Sequence, residues 1–265
     1  MATIDYAKIA RSKITTAGKI QETEPPRYLF YSRNKKGKTD LTSTAPRVLI
    51  LDPEKGTKHL PKDQPVWPIN KWDDMNDAFK YLQTKEAQQK YDWVGVDGMT
   101  RISGMALRKV MQQQEERDLD RIPGQVIQKD YGKAGELVKG MLFNFHNLKQ
   151  GIVYTCQERT EEVKAESFDT EDEDMEEAQI RFVPDLPKGV RSSLNAIVDC
   201  IGRIYVVKVT VKGEERLQRR LWIAPTVSYD TGYRSDHELP NYLKNPTVPR
   251  LGTLIKTGKV TRANG

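Results

Sequence analysis

One eight-residue stretch has the residue types and spacing that bind a phosphate group. Residues 32–39 read SRNKKGKT, which has the length and ending of the loop G-x-x-x-x-G-K-[ST], with Ser32 in place of the first glycine. In such a loop, backbone N–H groups surround a phosphate at a helix N-terminus, the lysine reaches the β- and γ-phosphates, and the hydroxyl binds Mg²⁺. The predicted nucleotide-binding residues are Ser32, Arg33, Asn34, Lys35, Lys36, Gly37, Lys38, Thr39 and Asp40.

A carboxylate at the end of an apolar segment is a candidate magnesium ligand. Residues 93–97 read WVGVD and end in Asp97, as a Walker-B strand does, and such an aspartate holds the Mg²⁺ shell. Two plainer interpretations stay open: a surface Gly-Lys-Thr in a lysine-rich chain, and an ordinary strand-end turn at Asp97. Context favours function, because the loop follows one predicted strand and opens a predicted helix. We therefore predict a site for ATP and Mg²⁺, with Thr39 and Asp97 at the metal.

Strand and helix patterns alternate along the chain that must position these residues. The predicted strands are 28–31, 47–52, 93–97, 151–156, 198–211 and 216–223, and the predicted helices are 38–44, 72–83, 105–116 and 135–148. Alternation of this kind favours an α/β fold, a mostly parallel sheet with helices on both faces. The last two strands, joined near Gly213, predict an antiparallel extension at one edge.

Composition divides the chain into a core and three segments of different character. Residues 1–26 are charged and end at Pro25-Pro26, which predicts an N-terminal arm with a short helix. Residues 27–252 form the predicted nucleotide-binding domain, and 253–265 a basic, loose C-terminal tail. Within the domain, residues 161–179 are predicted to form an acidic, mobile loop.

The charge of the chain is unevenly distributed. The 265 residues carry a formal net charge of +6, whereas residues 161–177 alone carry −9, which leaves +15 on the rest. So basic a body predicts a polyanionic partner, with a merely soluble surface as the alternative. No apolar run is long enough to span a membrane, no signal-peptide core is present, and two cysteines and three histidines fit neither a disulfide framework nor a zinc site. We expect a cytoplasmic protein without a membrane partner.

The succession of motifs resembles the RecA-like phage nucleotide-binding proteins, the phage recombinase group related to the RecA core. The resemblance covers residues 27–234 and rests on four further segments after the loop. Asp97 is followed by glycine, whereas the AAA+ pattern has adjacent Asp-Glu. The chain departs from the RecA-like pattern in the phosphate-binding loop, where Ser32 and the Lys35-Lys36 pair replace glycines. The four segments are Leu51-Asp52-Pro53-Glu54, Asp97-Gly98, Asp130-Tyr131-Gly132 and Tyr154-Thr155-Cys156-Gln157.

The resemblance implies a RecA-like P-loop core and three catalytic roles. Glu54 would be the carboxylate that activates water, and Gln157 the γ-phosphate sensor; a loop acid and a polar strand cap are the alternatives. Arg234 would be the cation that completes the site of a neighbouring protomer, with Arg219 and Arg220 as competitors. Such proteins assemble into rings or filaments, so a homo-oligomer is expected.

The resemblance also implies single-stranded DNA as a partner, held on loops after the Walker-B and sensor strands. The acidic segment is interpreted either as a solvating insert or as a mimic of the DNA strand. The function implied is a DNA-dependent ATPase of phage recombination or replication, beside a phage single-strand-binding or annealing protein; the alternative is a non-catalytic DNA-binding or assembly protein on a decayed P-loop scaffold. The predicted DNA-binding residues are Arg101, Arg108, Lys109, Lys129, Arg159, Arg181, Lys188 and Arg191.

Overall fold

The computed structural model describes residues 5–163, 179–211 and 213–260, which form a ten-stranded sheet flanked by helices. The strands are β1 (Arg27–Ser32), β2 (Val48–Asp52), β3 (Val66–Pro68), β4 (Trp93–Asp97), β5 (Gly151–Val163), β6 (Gln179–Pro184), β7 (Cys200–Val211), β8 (Glu214–Trp222), β9 (Gly232–Tyr233) and β10 (Tyr242–Lys244). The α-helices are α1 (Tyr6–Lys13), α2 (Ala17–Thr23), α3 (Lys38–Ser43), α4 (Trp72–Leu82), α5 (Lys85–Lys90), α6 (Met99–Glu115), α7 (Gln128–His146), α8 (Lys188–Ile197) and α9 (Val248–Thr257), and a 3-10 helix spans Gly56–His59.

The strand order brings the ends of four chain segments to one edge of the sheet. The order is β10-β8-β7-β1-β5-β4-β2-β3, and the pairs from β7 to β3 are all parallel. Parallel strands present their carboxyl ends at a single edge, so β1, β2, β4 and β5 deliver Ser32, Asp52, Asp97 and Gln157 side by side. The predicted α/β fold with a mostly parallel sheet is confirmed.

Both faces of the sheet are covered by helices, as predicted, because its central strands are apolar throughout. Along β1, Leu29 and Tyr31 join one buried cluster, whereas Tyr28 and Phe30 join the other. The first cluster includes residues of α4, α6, α7 and α8, and the second includes residues of α3 and α9. Burying each such large apolar side chain contributes about 1.5–3 kcal/mol, and this burial anchors the strands that carry the site.

The predicted antiparallel extension is present and is longer than two strands. β7 and β8 pair antiparallel from Arg203–Trp222 to Val211–Glu214, and β10 adds to the free edge of β8. Short β9 pairs antiparallel with the start of β7. The extension continues the same sheet, so side chains of β8 can reach the edge at which the parallel strands end.

Two helices begin earlier than their apolar periodicity predicts. α6 starts at Met99, directly after Gly98, and α7 starts at Gln128. In α7 the Asp130 carboxylate accepts a hydrogen bond from the Ile127 backbone N–H at 3.0 Å, which caps the first turn. Asp130-Tyr131-Gly132, one of the segments on which the resemblance rests, therefore lies within the first turns of a helix.

The segments predicted to be loose are partly ordered. Strand β5 continues through Glu161 to Val163 and pairs with β6, so the acidic loop prediction is wrong at both ends; residues 164–178 lie outside the described part of the chain. Residues 253–257 belong to α9, whose Leu251 and Leu254 are fully buried, so the tail prediction fails there and 261–265 are not described. The N-terminal arm carries two short helices, of which α2 ends before the prolines as predicted. None of the described helices combines the length and apolarity needed to cross a membrane.

Candidate functional site

The predicted phosphate-binding loop forms a turn between β1 and α3. Lys35 and Gly37 adopt left-handed backbone conformations, with φ of 59° and 94°, which coil the chain so that successive N–H groups can face one point. The Lys38 ammonium bends back over the loop and donates to the Ser32 and Arg33 carbonyls at 3.2 and 3.3 Å. Burial lowers the pKa of Lys38, against the opposing effect of nearby Glu54 and Asp97.

Ser32 fits the loop position at which the motif has glycine. It is the last residue of β1, is fully buried, and does not have a positive φ. Its hydroxyl donates to the Arg33 carbonyl at 2.9 Å. The backbone cost expected of serine at this position is therefore absent, and the loop forms without the first glycine.

Asp97, at the end of β4, is hydrogen-bonded to both α3 and β5. Its two carboxylate oxygens accept hydrogen bonds from the Thr39 hydroxyl at 2.6 Å and from the Thr155 hydroxyl at 2.7 Å. The side chain is buried, and this burial raises the pKa of Asp97 even though both hydrogen bonds act in the opposite direction. The two predicted metal ligands, Thr39 and Asp97, are therefore in contact, and hydroxyl and carboxylate oxygens are ligands that suit Mg²⁺.

Two carboxylates at the end of β2 have different surroundings. Asp52 is buried and accepts hydrogen bonds from the backbone N–H groups of Glu54, Gly56 and Thr57, so its role is to hold the turn. Glu54 instead faces the cleft. Burial, and then the nearby Asp97 charge, raise the pKa of Glu54, and a hydrogen bond with the Gln157 side chain opposes them.

These groups line one cleft of about 960 Å³ at the carboxyl edge of the sheet. Of the predicted loop residues, Ser32, Arg33 and Lys36 are outside its lining; Arg33 lies 3.4 Å from Glu158. The cleft is lined by Asn34, Lys35, Gly37, Lys38, Thr39, Asp40, Pro53, Glu54, Lys55, Gly56, His59, Asp97, Arg101, Gln157 and Arg219.

Three residues of this region were not predicted as site residues, or only as alternatives. Arg219 Nη2 donates to Asp40 Oδ2 at 2.7 Å, and His59 Nε2 lies 2.6 Å from Asp40 Oδ1. Although burial acts in the other direction, His59 and Arg219 hold the pKa of Asp40 below its usual range. Thr155 lies in the segment 154–157 on which the resemblance rests, but no role was predicted for it. No sequence motif marks His59, and Arg219 was one of several basic residues on a strand.

Arg234 lies at the amino ends of the parallel strands, on the far side of the sheet from the cleft. Its Nη2 donates to the Ala196 carbonyl at 2.6 Å, and its guanidinium lies 3.7 Å from Asp199, which also accepts from the Arg27 backbone N–H at the start of β1. Within its own chain, Arg234 therefore does not reach the cleft, whereas its competitor Arg219 does. A contact of Arg234 with a neighbouring protomer stays a prediction.

The predicted DNA-binding residues fall into two groups. Four are ion-paired: Lys109 with Asp73, Arg159 and Arg191 with Glu161, and Arg181 with Asp230. The other four are exposed and have no carboxylate partner among the described residues; they are Arg101, Arg108, Lys129 and Lys188. Charge neutralisation makes the first group a poorer candidate for phosphate contact.

One protein family and several solved structures are similar to this chain. A family model described as an AAA domain matches residues 24–235, although Gly98 and not glutamate follows Asp97. The fold is similar to that of a KaiC-like protein from the hyperthermophilic archaeon Pyrococcus horikoshii OT3, with a TM-score of 0.41 and 10% identity over 80% of this chain and 83% of that one. It is also similar to the flagellar accessory protein FlaH from Methanocaldococcus jannaschii, with a TM-score of 0.37 and 10% identity over 88% and 92%. No curated protein matches the sequence.

Proposed function

This chain belongs to the AAA domain family, and we propose that it binds and hydrolyses ATP with Mg²⁺ on a RecA-like core. One observation carries the proposal: the Thr39 hydroxyl, buried Asp97, Glu54 and Gln157 converge on the cleft beside the Lys38 loop. A lysine, a hydroxyl–carboxylate pair and a separate acid are the parts that phosphoryl transfer requires. A scaffold that had lost catalysis would not be expected to retain all of these groups in one cleft.

The loop and Lys38 would bind the triphosphate. The backbone N–H groups from Lys35 to Thr39 would donate hydrogen bonds to the phosphates. The Lys38 ammonium would exchange its hydrogen bonds with the Ser32 and Arg33 carbonyls for a charge-assisted hydrogen bond with a phosphate oxygen. Thr39 and Asp97 are the residues that would hold Mg²⁺, which would neutralise phosphate charge when bound.

Glu54 would be the general base. Its raised pKa makes the carboxylate a better proton acceptor than an exposed glutamate, so it can take a proton from water that attacks the γ-phosphate. The bond from the γ-phosphorus to the bridging oxygen then breaks, releasing ADP and inorganic phosphate. Gln157 contacts Glu54 and would orient it.

We further propose that single-stranded DNA binds near the cleft and stimulates turnover. Arg101 lines the cleft, and Arg108 lies about two turns further along the same face of α6. With Lys129 and Lys188 they offer cations for phosphate contacts, whose strength falls with salt. We also propose that the protein assembles into a homo-oligomeric ring or filament. Its role would be in phage recombination or replication, together with an annealing or single-strand-binding protein.

The test is a phosphate-release assay on the full chain with Mg²⁺ and ATP, with and without single-stranded DNA. The wild type should turn over ATP, faster with DNA, and Lys38→Ala should be inactive. Lys62→Ala, an exposed lysine outside the cleft, is the matched control and should behave as the wild type.

The outcomes separate the proposals. ATP binding without turnover in the wild type would favour the alternative, a non-catalytic DNA-binding or assembly protein. Turnover in Lys38→Ala equal to wild type would reject the loop as the nucleotide site. Turnover that ignores DNA would leave an ATPase but reject its DNA dependence.

A further inference from the structure

Arg219 of β8 lies directly against the phosphate-binding loop of its own chain. A Cβ added to Gly37 would overlap the Arg219 guanidinium, so the arginine packs on the bare face of that glycine. Gly37 also has a φ of 94°, which a residue with a side chain rarely adopts. Gly37 thus admits both the turn of the loop and the close approach of the arginine.

The strand that carries Arg219 is held on both sides. Arg219 pairs with Val206 of β7, and its carbonyl accepts from the Asn245 backbone N–H at 2.8 Å, beside β10. The next residue, Arg220, points to the other face of the sheet, where its guanidinium lies 4.6 Å from the Tyr242 ring centroid. The alternation of a strand therefore sends one of two adjacent arginines into the cleft and the other away from it.

A carboxylate orients the Arg219 guanidinium and leaves donors available. Nη2 donates to Asp40 Oδ2 at 2.7 Å, and the other oxygen of Asp40 is engaged by His59 at 2.6 Å. Among the described residues, Nε and Nη1 of Arg219 have no hydrogen-bond acceptor, although the side chain is only about one-third exposed (36%). A guanidinium fixed by one nitrogen presents its remaining N–H groups in a planar fork that suits phosphate oxygens.

We propose that Arg219 binds the phosphate chain of ATP within its own protomer, and that Asp40 is the positioning residue that aims it. The proposal rests on the proposed function, because it assigns a further ligand-binding residue to that same cleft. It differs from the expected arrangement, in which the cation comes from a neighbouring protomer. Lys38 and Arg219 would then contact the phosphates from two sides of the loop.

The first experiment measures the affinity of ATP by calorimetry for the wild type and four variants. Arg219→Ala should weaken ATP binding about 10- to 100-fold, the usual loss for a hydrogen bond to a charged group. Arg219→Lys should recover part of it, and Asp40→Asn should weaken binding less than Arg219→Ala does. Arg216→Ala, at an exposed arginine of the same strand outside the cleft, should bind ATP within about twofold of the wild type, since surface substitutions cost little.

Mixing two variants decides whether Arg219 acts within one protomer. An Arg219→Ala protein keeps Lys38, and a Lys38→Ala protein keeps Arg219, so an equimolar mixture contains complete sites only if the arginine acts across protomers. We expect no tight ATP binding in the mixture. Recovery of tight binding would overturn the assignment to the same chain.

The failures are distinguishable. If the wild type does not bind ATP, or Lys38→Ala binds it equally well, the proposed function fails. If the wild type binds, Lys38→Ala loses binding, and Arg219→Ala binds as the wild type does, the proposed function survives and the inference about Arg219 is wrong.

Discussion

At the scale of single residues, environment gives similar side chains different roles. Asp52 and Glu54 are two positions apart, yet the first is buried under backbone N–H donors and the second faces the cleft. A carboxylate whose oxygens already accept several hydrogen bonds holds the backbone in place. One that is partly desolvated and beside another negative charge takes up protons more readily. The assignment of Glu54 as the base follows from this contrast.

Replacing Glu54, the proposed base, should separate ATP binding from turnover. Glu54→Gln preserves the size of the side chain but cannot accept the proton of water, so ATP hydrolysis should fall about 10²- to 10⁴-fold while ATP affinity stays near that of the wild type. Phosphate release and calorimetry measure the two quantities. Glu238→Gln, at an exposed glutamate outside the cleft, should change neither. Unchanged hydrolysis in Glu54→Gln would move the base elsewhere.

At the scale of elements, one glycine lets β4 turn into α6 beside Glu54, the proposed base. Gly98 has a φ of 133°, and a Cβ there would lie 2.9 Å from Glu54 Oε1. Gly104, inside the same helix, has open space around it. The two positions make a matched pair because the same substitution has opposite physical consequences.

Gly98→Ala should destabilise the protein by about 1–3 kcal/mol and reduce turnover, because the backbone is strained and Glu54 is displaced. Gly104→Ala should instead stabilise it by about 0.4–1 kcal/mol, since it removes backbone freedom from the unfolded chain. Urea denaturation and phosphate release measure these effects. Equal stability of the two variants would contradict the role given to Gly98.

A buried ion pair closes the loop between α6 and α7. Arg121 pairs with Asp130, whose side chain is almost fully buried and also accepts from the Ile127 N–H at 3.0 Å. The Arg121 hydrogen bond, against the effect of burial, lowers the pKa of Asp130. A lowered carboxylate pKa stabilises the fold above the pKa of the unfolded chain, and this stabilisation is lost as pH falls through the folded-state value.

The pH dependence of Asp130→Asn should follow from that sign. At neutral pH the variant should unfold at lower urea than the wild type, because Arg121 loses its charged partner. Below the folded-state pKa of Asp130 the difference should shrink, since the wild-type carboxylate is then protonated too. A difference that stays constant from neutral to acidic pH would show that the pair is not the cause.

At the scale of the whole molecule, several basic side chains form ion pairs with carboxylates of the same chain. Glu161 binds both Arg159 and Arg191, and Asp230 lies near Arg181, so three predicted DNA contacts are neutralised inside the fold. Glu161 belongs to β5 and its ion pairs are structural. If DNA binds as proposed, the acidic residues from position 166 to 177 are the part of the segment that would repel it.

Replacing residues 164–177 with a neutral Gly/Ser linker, with Glu161 retained, should tighten single-stranded DNA binding. Removal of negative charge lowers the repulsion of phosphates, and the gain should shrink with salt because charges are screened over roughly 8 Å at physiological ionic strength. DNA titrations of both proteins at two salt concentrations measure it. Equal affinity at both would make the segment a solvating insert, and weaker binding would reverse the sign of its effect.

Local signals determined the elements of the loop and of the Walker-B strand. The predicted strand 93–97 has the bounds of β4, and the predicted helix at 38 begins where α3 begins, because continuous apolar runs and a Gly-Lys-Thr ending act over a few neighbouring residues. The order of these elements was enough to predict a mostly parallel sheet. Asp97 was predicted from its place at the end of an apolar strand, whereas Glu54 and Gln157 were predicted only from the resemblance to RecA-like proteins.

Long-range contacts decided the rest. Arg219 and Asp40 are 179 positions apart and Thr155 and Asp97 are 58 apart, so no local pattern could pair them. Likewise the polar end of β5 becomes strand because β6 supplies its partner, and 253–257 become helix because Leu254 packs into the core. Burial and pairing with distant residues override local propensity, and they determine which of many basic side chains reaches the cleft.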